Sequence, residues 1–343
     1  MSATIAPVEE TLADYARVTG EAIEELLGQR PRSPYLHALL REYPSRGGKG
    51  MRPALLIATC RAFGGTTREA LGAAAAIELL HNAFLIHDDL QDASLRRRGR
   101  PTLHALHGAP LAINAGDALA ALALEPLRDT TRLGGRITRR VLDEVLAMIV
   151  QTTEGQALEL GWRRDNVVDL EPADYLELVA KKTCCYTTVA PLRLGALIGA
   201  RGTVAPAALS RFGFYLGAAF QIRDDHLSVA GADATHGKDP LGDIREGKRT
   251  LMLLHLLRAV TPARRGWLVG FLAAPENERG DADVARVHGW MTEHGSLRFA
   301  RAYGECLGAA AATAFEDAFA DVPESSHLAF IRALVPYMLE RTG

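Results

Sequence analysis

The sequence predicts an all-α protein, a single-domain bundle of roughly ten to thirteen helices. Three observations lead there. Ala, Leu, Glu and Arg, all good helix formers, dominate the chain. Apolar residues recur at intervals of three and four. Alternating strand patterns with paired turn signals are hard to find.

Helices are expected at residues 8–28, 34–43, 51–62, 67–92, 109–127, 135–160, 171–181, 183–200, 205–230, 248–260, 281–292, 296–316 and 325–341, with ends good to a few residues. Arg30-Pro31-Arg32-Ser33-Pro34 separates the first two. Ser45-Arg46-Gly47-Gly48-Lys49-Gly50 is a basic glycine loop ahead of Pro53, which suits the first turn of the third helix. The fourth carries an Ala-rich run from Gly72, interrupted by Glu78 and His81. Gly231 to Gly247 is a polar loop with four glycines and one proline. No break in composition marks a boundary and no repeat appears, so residues 1–343 read as one domain.

Composition excludes several classes. Hydrophobic residues are 48% and charged residues 23%, ordinary for a globular protein. The net charge of −2 gives no reason to expect nucleic acid, and the basic group Arg96, Arg97, Arg98 and Arg100 lies beside acidic clusters. Cys60, Cys184, Cys185 and Cys306 have neither metal-ligand spacing nor a disulfide pattern, which suggests reduced thiols in a cytoplasmic protein. Met1 to Glu25 is acidic and lacks the apolar run of a signal peptide. No uncharged apolar stretch of 18 residues appears, so no membrane span is expected.

The most informative stretch is His81-Asn82-Ala83-Phe84-Leu85-Ile86-His87-Asp88-Asp89-Leu90-Gln91-Asp92. Asp88 and Asp92 share a helical face, where like charges cost about 0.2–0.5 kcal/mol. A divalent cation would offset that cost. Helical steps back from Asp92 give Asp88, Phe84 and His81. The pattern describes a pocket with a metal at its mouth and an apolar floor. Magnesium fits, because it bridges phosphate oxygens to one or two carboxylates.

A second cluster places Gln221, Asp224, Asp225 and Ser228 on one face. Alone it reads as a solvated helix edge. Gly237-Lys238, Asp243 and Glu246-Gly247-Lys248-Arg249-Thr250 follow it, and a glycine-rich loop with spaced lysines suits a diphosphate. Lys49 and Arg52 flank a helix start, where backbone N–H groups also favour anions. Arg97 and Arg98 are adjacent, so they point in different directions and suit two different anions. Lys182 precedes Thr183 after an amphipathic stretch.

With these residues in place, the chain closely resembles the trans-isoprenyl diphosphate synthase family, of geranylgeranyl or farnesyl diphosphate synthase type. Gly47-Gly48-Lys49-Gly50-Met51-Arg52-Pro53 is similar to the family's Gly-Gly-Lys-x-x-Arg-Pro motif. Asp88-Asp89-Leu90-Gln91-Asp92 resembles its first Asp-Asp-x-x-Asp motif. Arg97-Arg98-Gly99-Arg100-Pro101-Thr102, Gly116-Asp117, Gly155-Gln156 and Lys182-Thr183 follow in order. Phe220-Gln221-x-x-Asp224-Asp225 and Gly247-Lys248-Arg249-Thr250 resemble the second aspartate region and its trailing loop. The resemblance runs from about residue 40 to 255.

It implies the isoprenoid synthase fold, with helices around a central prenyl-chain cavity, and a soluble homodimer. It implies head-to-tail condensation of isopentenyl diphosphate with an allylic diphosphate. Three magnesium ions, with manganese as a substitute, would be held by Asp88, Asp92 and Asp224. Asp89 and Asp225 belong to the same catalytic motifs. Arg97, Lys182 and Lys238 would face the allylic diphosphate, with Thr183, Gln221 and Lys248 also on the substrate side. Lys49, Arg52, His81 and Arg98 would take the second diphosphate. Ala83 and Phe84 occupy the family's chain-length positions. A small Ala83 beside Phe84 suggests geranylgeranyl diphosphate, C20, with farnesyl (C15) or longer products as the alternative. Two positions depart from the pattern. Ser228 stands where the second motif has aspartate, which implies a weakened metal ligand. Glu159 stands where aspartate is usual. A class I terpene cyclase shares the ionisation chemistry but needs no second diphosphate site. A non-catalytic synthase subunit would be expected to lose aspartates that are intact here.

Overall fold

The computed structural model describes residues 2–29, 33–230 and 241–340. The helices are α1 (Ser2–Gly28), α2 (His37–Glu42), α3 (Met51–Ala62), α4 (Thr67–Gln91), α5 (Leu103–His107), α6 (Ala109–Ala123), α7 (Gly135–Arg164) and α8 (Pro172–Val179). After these come α9 (Ala190–Gly199), α10 (Ala207–Ala230), α11 (Gly242–Glu246), α12 (Leu251–Ala259), α13 (Pro262–Ala273), α14 (Asp281–Glu293), α15 (Ser296–Ala318) and α16 (Ser326–Glu340). The all-α expectation holds.

α4 is the central element on one side. Its start is fixed by a reciprocal cap: the Glu69 amide donates to Thr66 Oγ1 at 3.2 Å, and the Thr66 amide donates to Glu69 Oε2 at 2.8 Å. The run Ala73–Ala76 is almost fully buried, and small side chains there let α3 and α6 pack closely. Ile77, Leu79, Leu80 and Ile86 are also buried, each adding roughly 1.5–3 kcal/mol. This helix is long and apolar enough to cross a membrane by length and composition, yet 67% of its most apolar window is buried inside the protein. A helix that is apolar all round belongs in a core.

A second core lies under α8, α10, α12, α13 and α14. α10 packs on α15 and on the segment Ala180–Val189. The sequence suggested two helices over 171–200. The structure instead runs α8, a π-helical segment Ala180–Val189 and α9 without a break. The Ala190 amide reaches back five residues, to the Cys185 carbonyl. No propensity signals this wider winding.

Further elements were not expected: the short helices α5 and α11, the helix α13 and a hairpin. α13 starts at a Thr261-Pro262 cap, but Gly266 and Gly270 weaken its helical pattern. A small hairpin joins Arg96–Arg97 (β1) to Arg100–Pro101 (β2). Its turn is Arg98-Gly99, with φ of 53° and 73°. Two positive φ values are what a two-residue hairpin turn of type I′ needs.

Candidate active site

α4, α7, the π segment and α10 enclose a cavity of about 1150 Å³. Asp88 and Asp92, at the end of α4, line its mouth. Lys182 Nζ lies 3.8 Å from Asp88 Oδ1, and Arg97 Nη2 lies 3.5 Å from Asp88 Oδ2. Arg163 donates to Asp92 Oδ1 at 2.6 Å, and Lys248 Nζ is 3.5 Å from Asp92 Oδ2. Both carboxylates are therefore already neutralised by cations.

Asp89 behaves differently. It is fully buried and absent from the cavity wall. It accepts Arg97 Nε at 2.8 Å and the Tyr43 hydroxyl. Its hydrogen bonds hold Arg97, which itself lines the cavity.

The π segment turns Lys182 into the cavity. Lys182 donates to Glu159 Oε1 at 2.7 Å. Burial works against the ammonium, but the Glu159 and Asp88 carboxylates outweigh it and raise its pKa. Glu159 thus finds a partner despite its departure from the motif. Gly155 permits the geometry: a Cβ there would sit 2.4 Å from the Lys182 backbone nitrogen.

On the facing wall, Gln221, Asp224, Asp225 and Ser228 do lie together on the cavity side of α10. Thr183 donates to Gln221 Oε1 at 2.9 Å, and Gln221 donates to Asp225 Oδ1 at 2.6 Å. Tyr175 donates to Asp225 Oδ2 at 2.8 Å. Burial, and then the Asp243 carboxylate, push Asp225 above the usual carboxylate range. Asp224 is exposed at the mouth. Lys248 donates to Asp243 Oδ1 at 3.2 Å and pairs with Glu246 at 2.7 Å.

The donor set is made of oxygens alone, the kind magnesium prefers. Among the described residues no three His, Cys, Asp or Glu side chains converge closely enough to hold a metal by themselves.

A second cationic corner lies deeper. Arg52 donates to Tyr186 Oη and Thr187 Oγ1, each at 3.0 Å. Its Nη1 is 3.4 Å from His81 Nε2. Burial, and then Arg52 and Arg98, drive the His81 pKa well down, so the ring is neutral. With Nε2 accepting from Arg52, the proton sits on Nδ1. His81 Nδ1 and Arg52 Nε are buried with no partner. The Arg98 guanidinium packs over Gly48. Burial and its arginine neighbours lower the Arg98 pKa, against the pull of Glu78. Arg97 and Arg98 thus lie at different corners. Lys49 Nζ lies 5.9 Å from the Tyr337 ring. Crowded cations and orphaned donors together define a place for an anion.

The apolar floor corrects one expectation. Phe84 and Leu85 line the cavity, but Ala83 is fully buried in the core and contributes nothing to the wall. It sits one residue, or about a hundred degrees, round α4 from Phe84. Phe84 meets Tyr186 edge to face, ring centres 5.6 Å apart.

The sequence model of the family described as polyprenyl synthetase matches residues 33–287. The chain belongs to this family. It is 34% identical to a short chain isoprenyl diphosphate synthase of Methanothermobacter thermautotrophicus over 86% of this chain and 88% of that protein. It is 39% identical to a geranylgeranyl pyrophosphate synthase of Geoglobus acetivorans, over 72% of this chain and 76% of that one. The crystal structure of geranylgeranyl pyrophosphate synthetase from Pyrococcus horikoshii superposes with a TM-score of 0.84 at 29% identity, covering 97% of this chain and 99% of that one. This polyprenyl synthetase is therefore an enzyme of the prenyltransferase class with the isoprenoid synthase fold.

Lys238 lies outside the described residues of this polyprenyl synthetase. Sequence reasoning missed Tyr43, Arg163, Tyr175 and Tyr186. Arg163 had a signal, because Gln156, Glu159 and Arg163 share a face of α7. Tyr186 had one too, four residues after Lys182. Tyr43 had none; only the fold brings it to Asp89.

Proposed function

We propose that this polyprenyl synthetase condenses isopentenyl diphosphate with an allylic diphosphate, head to tail, and stops at geranylgeranyl diphosphate, C20. The observation that carries this reading is the pair of separate cationic corners on one cavity. A class I cyclase needs only the corner at the mouth. The corner of Arg52, His81 and Arg98 supports a second diphosphate, and the glycine motif assigns Lys49 to it.

Asp88, Asp92 and Asp224 would hold magnesium, three ions with manganese as a substitute, and the ions would neutralise the leaving diphosphate. Arg97 and Lys182 add positive charge at the same place, and the family resemblance alone assigns Lys238 to it. The C1–O bond of the allylic substrate breaks, and its electron pair leaves with the diphosphate. C4 of isopentenyl diphosphate, placed by Arg52, His81 and Arg98, attacks C1. The released diphosphate takes the proton from C2, so no side chain is needed as the base. The apolar wall of Phe84, Leu85 and Phe220 keeps water from the allylic cation.

The C20 product is supported by the product named for the Geoglobus relative, with Phe84 as the bulky residue on the cavity wall that would stop the chain. The enzyme acts as a cytoplasmic homodimer in this reading. The test is product analysis with dimethylallyl, geranyl and farnesyl diphosphates, each with isopentenyl diphosphate and magnesium. Hydrocarbon formed from an allylic diphosphate alone would sink the proposal in favour of a cyclase.

A further inference from the structure

We infer that Tyr186 is a chain-length residue, sharing the floor with Phe84 and tying it to the second-diphosphate corner. The inference rests on the chain-elongation reading above. Three contacts carry it. The Tyr186 ring lines the cavity and meets Phe84 edge to face at 5.6 Å, with an interplanar angle of 83°. The Arg52 guanidinium lies 4.4 Å from the centre of the same ring. Arg52 also donates to the Tyr186 hydroxyl at 3.0 Å.

One ring thus has two duties. Its edge-to-face contact with Phe84 closes the apolar floor, so a growing chain meets two aromatic rings. Its hydroxyl and π face hold Arg52, whose Nε–H is buried with no protein partner. Aromatic pairs and cation–π contacts prefer defined geometries, so neither ring turns aside without disturbing its neighbour. Phe84 sits on α4 and Tyr186 on the π segment, so the floor is built from both walls.

The test is product length across a size series, beside the wild-type enzyme, with isopentenyl and dimethylallyl diphosphates, so that products both shorter and longer than C20 can form. Tyr186→Ala should lengthen the main product by at least one isoprene unit, and Tyr186→Trp should shorten it. Tyr186→Phe should keep the length but raise KM for isopentenyl diphosphate about tenfold, with little change in kcat, because Arg52 loses an acceptor. A merely structural tyrosine would lower yield or melting temperature without ordering product length by ring size. Wild-type length in both the Ala and Trp variants overturns the inference, and so does an unchanged KM in the Phe variant. If the Ala variant does not fold, the Trp and Phe variants decide. Failure of the wild-type enzyme to elongate any starter would instead remove the underlying function.

Discussion

Ser228 donates its hydroxyl proton to the Asp243 carboxylate, fifteen residues further along the chain. Serine here replaces an aspartate of the second motif. Asp243, held by Lys248 at 3.2 Å, brings a carboxylate beside that position and onto the cavity wall. Asp243→Asn should lower activity about 10–100-fold and raise the magnesium concentration for half-maximal rate. Ser228→Ala should cost only a few-fold. Initial rates across a magnesium series check both, and equal losses would remove Asp243 from this role.

Asp89 should matter for stability as much as for rate. Its carboxylate is fully buried and tied to Arg97 and Tyr43. Removing one partner of a buried pair strands the other, at about 3–5 kcal/mol. Asp89→Ala should melt well below wild type and lose activity through a misplaced Arg97. Tyr43→Phe should lose roughly 1–3 kcal/mol. Thermal melts and magnesium titrations separate the two effects. A changed magnesium requirement in folded Asp89→Asn would assign Asp89 to the metal instead.

The fold class and most helices were legible because apolar periodicity and Gly–Pro punctuation are local. The mouth carboxylates were legible for the same reason, since Asp88 and Asp92 share a helical face by spacing alone. What stayed hidden depends on winding or on distant packing. The segment Ala180–Val189 is wound more widely than an α-helix, and a sequence treated at 3.6 residues per turn does not show it. The position of Ala83 depends on which side of α4 faces the core, and an apolar residue near a pocket can face either way. Arg163 reaches Asp92 from another helix, so only the tertiary structure pairs them.

His327 should make stability depend on pH. Arg61 Nε donates to His327 Nε2 at 3.2 Å, so Nδ1 carries the proton and faces Tyr15 Oη at 2.8 Å. The contact ties α16 to α1 and α3. Burial, and then Arg61, lower the His327 pKa. The unfolded chain therefore binds the proton more tightly than the folded one. The contribution is complete above the unfolded imidazole value of about 6.5 and is lost as pH falls towards the folded value. Wild type should lose stability over that window, and His327→Gln should show a flatter profile. Urea midpoints at about pH 7.5 and pH 5.5 measure this. Parallel profiles would show that His327 does not carry the dependence.

Phe84 and Ala83 are neighbours in sequence but should respond in opposite ways. Phe84 projects into the cavity, so Phe84→Ala opens the floor by about a side chain of depth. An isoprene unit is about as long as one helical turn, roughly 5.4 Å. The main product should therefore grow by at least one unit, with stability reduced by up to about 3–5 kcal/mol, less where the cavity already borders the ring. Ala83 is enclosed by the core, so Ala83→Leu inserts volume where none is free and should cost about 1–3 kcal/mol. Its product length should stay that of wild type, because the added atoms enter the core and not the chain's path. Chromatography of dephosphorylated products, read beside melting temperatures, distinguishes the two. A shorter product from a stably folded Ala83→Leu would return that residue to the floor.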